Sequence, residues 1–306
     1  MKKFIFKTSC FFALLAMLFT LIVYIVCFVI PPQFSHSYNA SFNDKIERLL
    51  SIKEPKIILV GNSNLTFGIK SQMIEQEFNK PVINLGLHGS LGNEFHENMA
   101  KINISSGDII IISHTSYDDD IDLDNTLMLT TLECKPHLLT KTVPGNYYEL
   151  LKSLPEYMSK KIFNFTHNRS SIIPKGCYSR TAFNKYGDIS YPRAECEFII
   201  EETYNPSKIS DKTVTRINNL NDYCLQKGAT LFVAAFPVGY GQTPPDESLY
   251  IDFQNKLQEK LNCKVISDFT DYFFDNKYLY DKQFHLTDEG AKIRTQQLIN
   301  DLKNNY

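Results

Sequence analysis

Ser63 and His285 are the residues around which a reaction can be built. Ser63 stands in Val60-Gly61-Asn62-Ser63-Asn64, directly after a short apolar run. In open parallel sheets, sites form beyond the carboxyl ends of the strands. A serine there opens a helix or tight turn, where backbone N–H groups favour a developing negative charge. Taken alone, the segment reads equally well as a strand-to-helix turn capped by Ser, because Gly, Asn and Ser are ordinary turn residues. His285 changes that balance. It lies in YDKQFHLT (residues 280–287), just before the last helical pattern. A nucleophilic serine needs a base, and the base is best oriented by a third group. Asp281 precedes His285 by four residues, so a turn brings its carboxylate to the imidazole Nδ1.

These residues need a scaffold, and the flanking sequence supplies one. Residues 56–60, 81–85 and 108–113 are short apolar runs, each ended by turn residues. Runs of this kind fit buried parallel strands. Helical patterns at 44–52, 71–79 and 91–104 alternate with them, which argues for a parallel sheet covered by helices. The alternation dissolves over 117–212, which reads as an insertion of helical character over an edge or the top of the sheet, without a clear amphipathic signature. It returns with a helix from 214 to 227, a strand at 229–235, a helix at 248–261, a short strand at 263–266 and a final helix at 287–303. Thr287 and Asp288 can cap that last helix. The expected fold class is therefore α/β, with a central, mostly parallel, five-stranded sheet.

The ordered set resembles the SGNH, or GDSL-type, hydrolase superfamily. IILVGNS (57–63) is similar to the first block, whose Ser is the nucleophile. Asn84-Leu85-Gly86 is similar to the second, and DKQFHLTDEG (281–290) to the last, which carries acid and base. The resemblance spans residues 54–116 and 213–306. It implies a three-layer sandwich, with Ser63 as nucleophile, His285 as base and Asp281 as its orienting acid. It also implies an oxyanion hole from the backbone N–H groups of Ser63 and Gly86. Two departures stand out. Asn62 occupies a position where many members have Asp, and the third block's G-x-N-D is missing. His114, Thr115, Ser116, Asn62 or Asn64 are the candidates to replace its Asn as oxyanion donor, with Asn64 carried forward. Losing one such donor costs about 10²–10³ in rate. The layout is similar to the membrane-associated branch that acts on cell-envelope polymers, including alginate O-acetylation and teichoic-acid D-alanyl transfer proteins.

Composition narrows the partners. The 306 residues are 43% hydrophobic and 22% charged, with a net charge of −2. That is ordinary globular usage and excludes wholesale disorder and a basic field for nucleic acid. Residues 8–30 carry no charge and are long enough to cross a bilayer. Lys2, Lys3 and Lys7 precede them, which keeps that end in the cytoplasm and sends the rest outside. The run is longer than a signal-peptide core and no A-x-A-like site follows, so it reads as an uncleaved single-pass anchor over 1–30. A polar linker (31–44) and the catalytic-type domain (45–306) come next.

Seven cysteines are widely spaced, with no C-x-x-C pair and hence no zinc signature. Cys134, Cys177 and Cys196 are the candidates for an extracytoplasmic disulfide; buried free thiols are the rival reading. The acidic run at Asp118, Asp119, Asp120, Asp122 and Asp124 lacks the Gly and bidentate Glu of a calcium loop and reads as solvated. His88 and His96 read as surface or pocket-rim residues. Tyr147, Tyr148, Tyr157, Phe163, Phe165 and Tyr178 suit either sugar stacking or a local core. A glycosylation sequon on Asn64 would block the site, which favours a bacterial source.

The expectation is an extracytoplasmic serine esterase or O-acyltransferase, without cofactor or metal. Its substrate would be an acylated polysaccharide, and a membrane-bound acyltransferase is a possible partner. Two rivals are an inactive SGNH-like glycan-binding or scaffold module and a lipase-like hydrolase.

Overall fold

The computed structural model describes residues 1–119, 123–145, 147–169, 172–194, 200 and 204–306. Seven strands occur in it: β1 (Ile57–Gly61), β2 (Val82–Asn84), β3 (Ile109–Ser113), β4 (Thr230–Val233), β5 (Val238–Tyr240), β6 (Lys264–Val265) and β7 (Phe273–Asp275). Five form one sheet in the order β2-β1-β3-β4-β6, with every neighbouring pair parallel. The expected five-stranded parallel sheet is present. β5 and β7 make a separate parallel pair that the sequence pattern did not mark.

Among the described residues eleven α-helices accompany the strands: α1 (Lys2–Tyr24), α2 (Ser41–Ser51), α3 (Ser63–Gly68), α4 (Ser71–Phe78), α5 (Asn93–Lys101), α6 (Asn125–Leu132), α7 (Leu139–Thr142), α8 (Tyr147–Thr166), α9 (Asp211–Gln226), α10 (Glu247–Lys260) and α11 (Asp288–Asn305). The central strands are buried on both faces, which is why they read as unbroken apolar runs. Side chains alternate across the sheet. Ile58, Val60, Ile110 and Ile112 face a core shared with α2, α5, α9 and α10. Ile57, Leu59, Ile109 and Ile111 face a second core with α3, α4 and α11.

At the amino end of the sheet, away from Ser63, Lys56 and Asp108 form a fully buried ion pair at 2.8 Å. Asp108 also accepts the Lys56 backbone N–H and that of Ser105, so little of its hydrogen-bonding capacity is left over.

The helix at the start of the chain runs on as a π turn (Ile25–Val29), and the combined stretch is long and apolar enough to cross a membrane. The segment read as a polar linker packs against the domain. Gln33 and Tyr38 are buried, and α2 begins at Ser41. Gln33 donates to Glu133 at 2.9 Å and accepts from Asn164 at 2.7 Å. The expected insertion consists, in its described part, of α6, α7, α8 and short 3-10 turns. Cys134 and Cys177 are both free, one exposed and one buried, so they form no disulfide with each other; Cys196 lies outside the described residues.

Candidate active site

The turn after β1 is fixed by close packing. A Cβ on Gly61 would sit 2.5 Å from the Ser113 carbonyl oxygen on β3, so only glycine lets the two strands end side by side here. Asn62 caps α3: its side-chain oxygen accepts the Asn64 N–H at 3.0 Å. Ser63 is the first residue of that helix and is partly exposed, as an attacking group must be.

Beneath the turn lies Arg294 of α11, which is fully buried. Its guanidinium donates to the Asn64 carbonyl at 2.6 Å, the Asn64 side-chain oxygen at 2.8 Å and Ser113 Oγ at 2.9 Å. Burial pulls its pKa down from the usual range. A side chain on Gly68 would collide with this guanidinium, so Gly68 and Arg294 fit each other.

His285 arrives from the other side of the chain. Its loop closes on itself: the Tyr280 N–H donates to the His285 carbonyl at 2.9 Å and the His285 N–H to the Lys282 carbonyl at 3.1 Å. The Gly239 N–H of β5 donates to the Gln283 carbonyl at 3.0 Å and its carbonyl accepts the Gln283 side-chain amide at 3.2 Å, which ties the loop to the small sheet. Thr287 caps α11 by accepting the Gly290 N–H.

The result is a continuous relay. His285 Nε2 lies 2.8 Å from Ser63 Oγ, and His285 Nδ1 lies 2.7 Å from Asp281 Oδ1. With Asp281 ionised, Nδ1 must carry the hydrogen, which leaves Nε2 to accept from the Ser63 hydroxyl. Phe67 stacks flat on the imidazole, with centroids 3.8 Å apart and an interplanar angle of 3°. Tyr178 donates its hydroxyl to the other oxygen of Asp281.

The electrostatics suit a base near neutrality. Burial pushes the His285 pKa down, against the opposing pull of Asp281, and the net shift is below the ordinary imidazole value. For Asp281, burial pushes upward, but the hydrogen bonds from His285 and Tyr178 together outweigh it and hold the carboxyl low.

The oxyanion donors differ from expectation. The Gly86 N–H is taken: it donates to Asn84 Oδ1 at 3.0 Å, and a Cβ there would meet the Asn62 carbonyl. Asn64 is fully buried, and its amide nitrogen already donates to Asn62 Oδ1 at 2.7 Å and the Ser113 carbonyl at 2.9 Å. Asn64 therefore anchors the turn and has no hydrogen to offer a substrate. His114 is buried against Glu97 at 2.9 Å and is also withdrawn. Ser116 accepts the Asp118 N–H at 3.2 Å. Thr115 accepts one amide hydrogen of Asn62 at 2.7 Å, which orients the other. Gly89 lies against the Asn62 side chain, and its N–H has no acceptor among the described residues. Ser63 N–H, in the first turn of α3, completes the set of nearby donors.

Sequence reasoning missed three contributors. Arg294 carries a signal, a cation on the inward 291–294–298–302 row of the last helix. Phe67 and Tyr178 carry none, since only the fold brings them to His285 and Asp281. His96, read as a surface or pocket-rim residue, is fully buried with no well-formed hydrogen bond to either ring nitrogen, and burial lowers its pKa to about 3. His88 is exposed beside the short turn at 89–91, as expected of a surface residue. In the acidic run, Asp124 caps α6 and Asp119 accepts from Thr213; Asp120 and Asp122 lie outside the described residues. No known family model matches the chain, and no curated protein is detectably similar to it.

Proposed function

We propose that this protein is a membrane-anchored serine ester hydrolase or O-acyltransferase of the SGNH type, with its domain outside the cytoplasm. The observation that carries the reading is the unbroken Ser63–His285–Asp281 relay at the carboxyl end of β1. Helices on both faces of a parallel sheet agree with the three-layer arrangement of that superfamily.

In this mechanism Ser63 Oγ attacks an ester carbonyl while His285 Nε2 takes its proton. The tetrahedral oxyanion is received by the N–H groups of Ser63 and Gly89 and by the free hydrogen of Asn62. Collapse expels the alcohol, which His285 protonates, and leaves an acyl group on Ser63. A second acceptor, deprotonated by His285, then takes the acyl group. Water gives hydrolysis and a sugar hydroxyl gives transfer, through the same triad. Asp281 stays ionised throughout and stabilises the imidazolium.

The substrate proposed is an acyl ester, acetyl foremost, of a cell-envelope or secreted bacterial polysaccharide. The support is the resemblance to envelope-modifying proteins together with the apolar helix at the start of the chain. In the transferase form, the acyl donor would be an integral-membrane acyltransferase.

The test is to incubate the full chain, in detergent, with acetylated and deacetylated glycans and to follow acetate release and transfer separately. The reading expects one of the two, lost in Ser63→Ala. Turnover that survives Ser63→Ala would refute it.

A further inference from the structure

The described part of the insertion contains a surface that the sequence pattern did not reveal. Along α8, positions 148, 151, 155, 158, 162 and 165 recur every three or four residues and hold Tyr148, Leu151, Pro155, Met158, Ile162 and Phe165. That spacing puts them on one face of the helix. All but the half-buried Met158 are exposed; Leu151 is 64% accessible and Phe165 50%. The face on the far side is polar, with Glu149, Lys152, Glu156 and Lys160. A third face, with Leu150 and Tyr157, packs into the domain. An apolar face exposed along a whole 20-residue helix needs an occupant.

The start of the chain indicates which one. An α-helix needs about 20 residues to cross some 30 Å of hydrocarbon. Counted from Lys7, the last cation before the apolar run, that distance ends close to Cys27. α8 is joined to the chain at this level. Lys161 donates to the Cys27 carbonyl at 3.4 Å, and Asn164 donates to Gln33 at 2.7 Å. Val26 is buried by the same packing. Tyr148, in the stripe, carries the Lys152 ammonium over its ring at 4.3 Å. Aromatic rings with neighbouring cations are characteristic of the headgroup layer.

We propose that α8 is a second membrane contact, lying in the interfacial layer of the bilayer that α1 crosses, with its apolar stripe among headgroups and upper acyl chains. The proposal rests on α1 spanning that bilayer and is independent of the chemistry at Ser63. Its consequence is orientation: the domain is held at a fixed attitude close to the membrane rather than swinging on a tether.

The test uses the full chain in vesicles of phosphatidylethanolamine and phosphatidylglycerol that contain a lipid with a photoreactive diazirine near its glycerol backbone. Adducts are mapped by mass spectrometry. The expected result is labelling of Lys2–Val29 and of the stripe on α8. In the double variant Leu151→Glu, Phe165→Glu, whose substitutions are at exposed positions, the α8 adducts should be lost and those on α1 kept. Adducts confined to α1 in the unaltered chain would overturn the proposal, as would α8 adducts that persist in the double variant. Cross-links between the α8 helices of two copies in place of lipid adducts would assign the stripe to self-association and also overturn it. Absence of adducts on α1 would show that the anchor reading itself is wrong, and the proposal would fall with it.

Discussion

The imidazole of His285 is gripped on four sides: by Ser63 and Asp281 at its nitrogens, by Phe67 on one face, and by its own tight loop behind. A buried base of this kind works only while neutral. Because burial wins over Asp281 and lowers its pKa, protonation should begin below the ordinary value of about 6.5. The rate of Ser63 acylation by a simple ester or an active-site phosphonate should therefore hold as pH falls through 6.5 and drop only at lower pH. A midpoint above 6.5 would contradict this sign. Tyr178 provides a finer test. Tyr178→Phe removes a donor from Asp281, whose charge is then felt more fully by the imidazole. The acid limb should move to higher pH, with the fold intact. A uniform loss of rate with an unmoved midpoint would mean that Tyr178 only packs. At this scale the three relay residues were legible in the sequence, because a Ser after the first strand and an Asp–His pair before the last helix are local patterns. The oxyanion donors were not. Whether the Gly86 N–H faces a pocket or its neighbour Asn84 depends on backbone direction, which residue identity does not encode.

Elements deliver these residues through close joints between strand ends and helices. One is the meeting of β1, β3 and α11 under Ser63, where Arg294 donates to four acceptors at once, the carbonyl and side-chain oxygens of Asn64, Ser113 Oγ and the Ala235 carbonyl. Arg294→Leu would remove this charged donor; Ser113 Oγ would keep only the Ala235 carbonyl and Asn64 Oδ1 only Ser113, and each buried acceptor so weakened costs up to about 1–3 kcal/mol. We expect a stability loss of about 1–3 kcal/mol or more in denaturant titration, partly recovered in Arg294→Lys. A change within the roughly 0.5 kcal/mol of an ordinary surface substitution would show that the cation is dispensable. The five strands of the main sheet and most helices were legible, because a doubly covered parallel strand is an unbroken apolar run and its helices are regular; the short β5–β7 pair was not. α3 was not, being six residues long and opened by what reads as a plain turn. The α8 stripe escaped because its apolar residues are mixed with the apolar residues of its buried face, so that the helix looks hydrophobic on two sides.

For the molecule as a whole, the segment after α1 joins the long apolar helix to the candidate site. The Tyr38 hydroxyl is 2.6 Å from Thr66 Oγ1, and its ring packs against Phe67, the residue that backs His285. Ser37 pairs with Ser179, next to Tyr178. A chain cut to residues 32–306 keeps these contacts and should acylate at Ser63 as the full chain does. A chain cut to residues 42–306 loses them and should acylate more slowly, by kinetic mass spectrometry. Equal rates in the two would show that the segment is only a tether.

The central claim, that Ser63 and His285 form a working nucleophile and base, is tested most directly without knowing the substrate. The full chain is treated with a fluorophosphonate, and the adduct is located by intact mass and peptide mapping. The account predicts a single adduct on Ser63, absent in Ser63→Ala and slowed by about 10⁴-fold or more in His285→Ala. A folded chain that gives no Ser63 adduct, or one formed equally fast without His285, would contradict it.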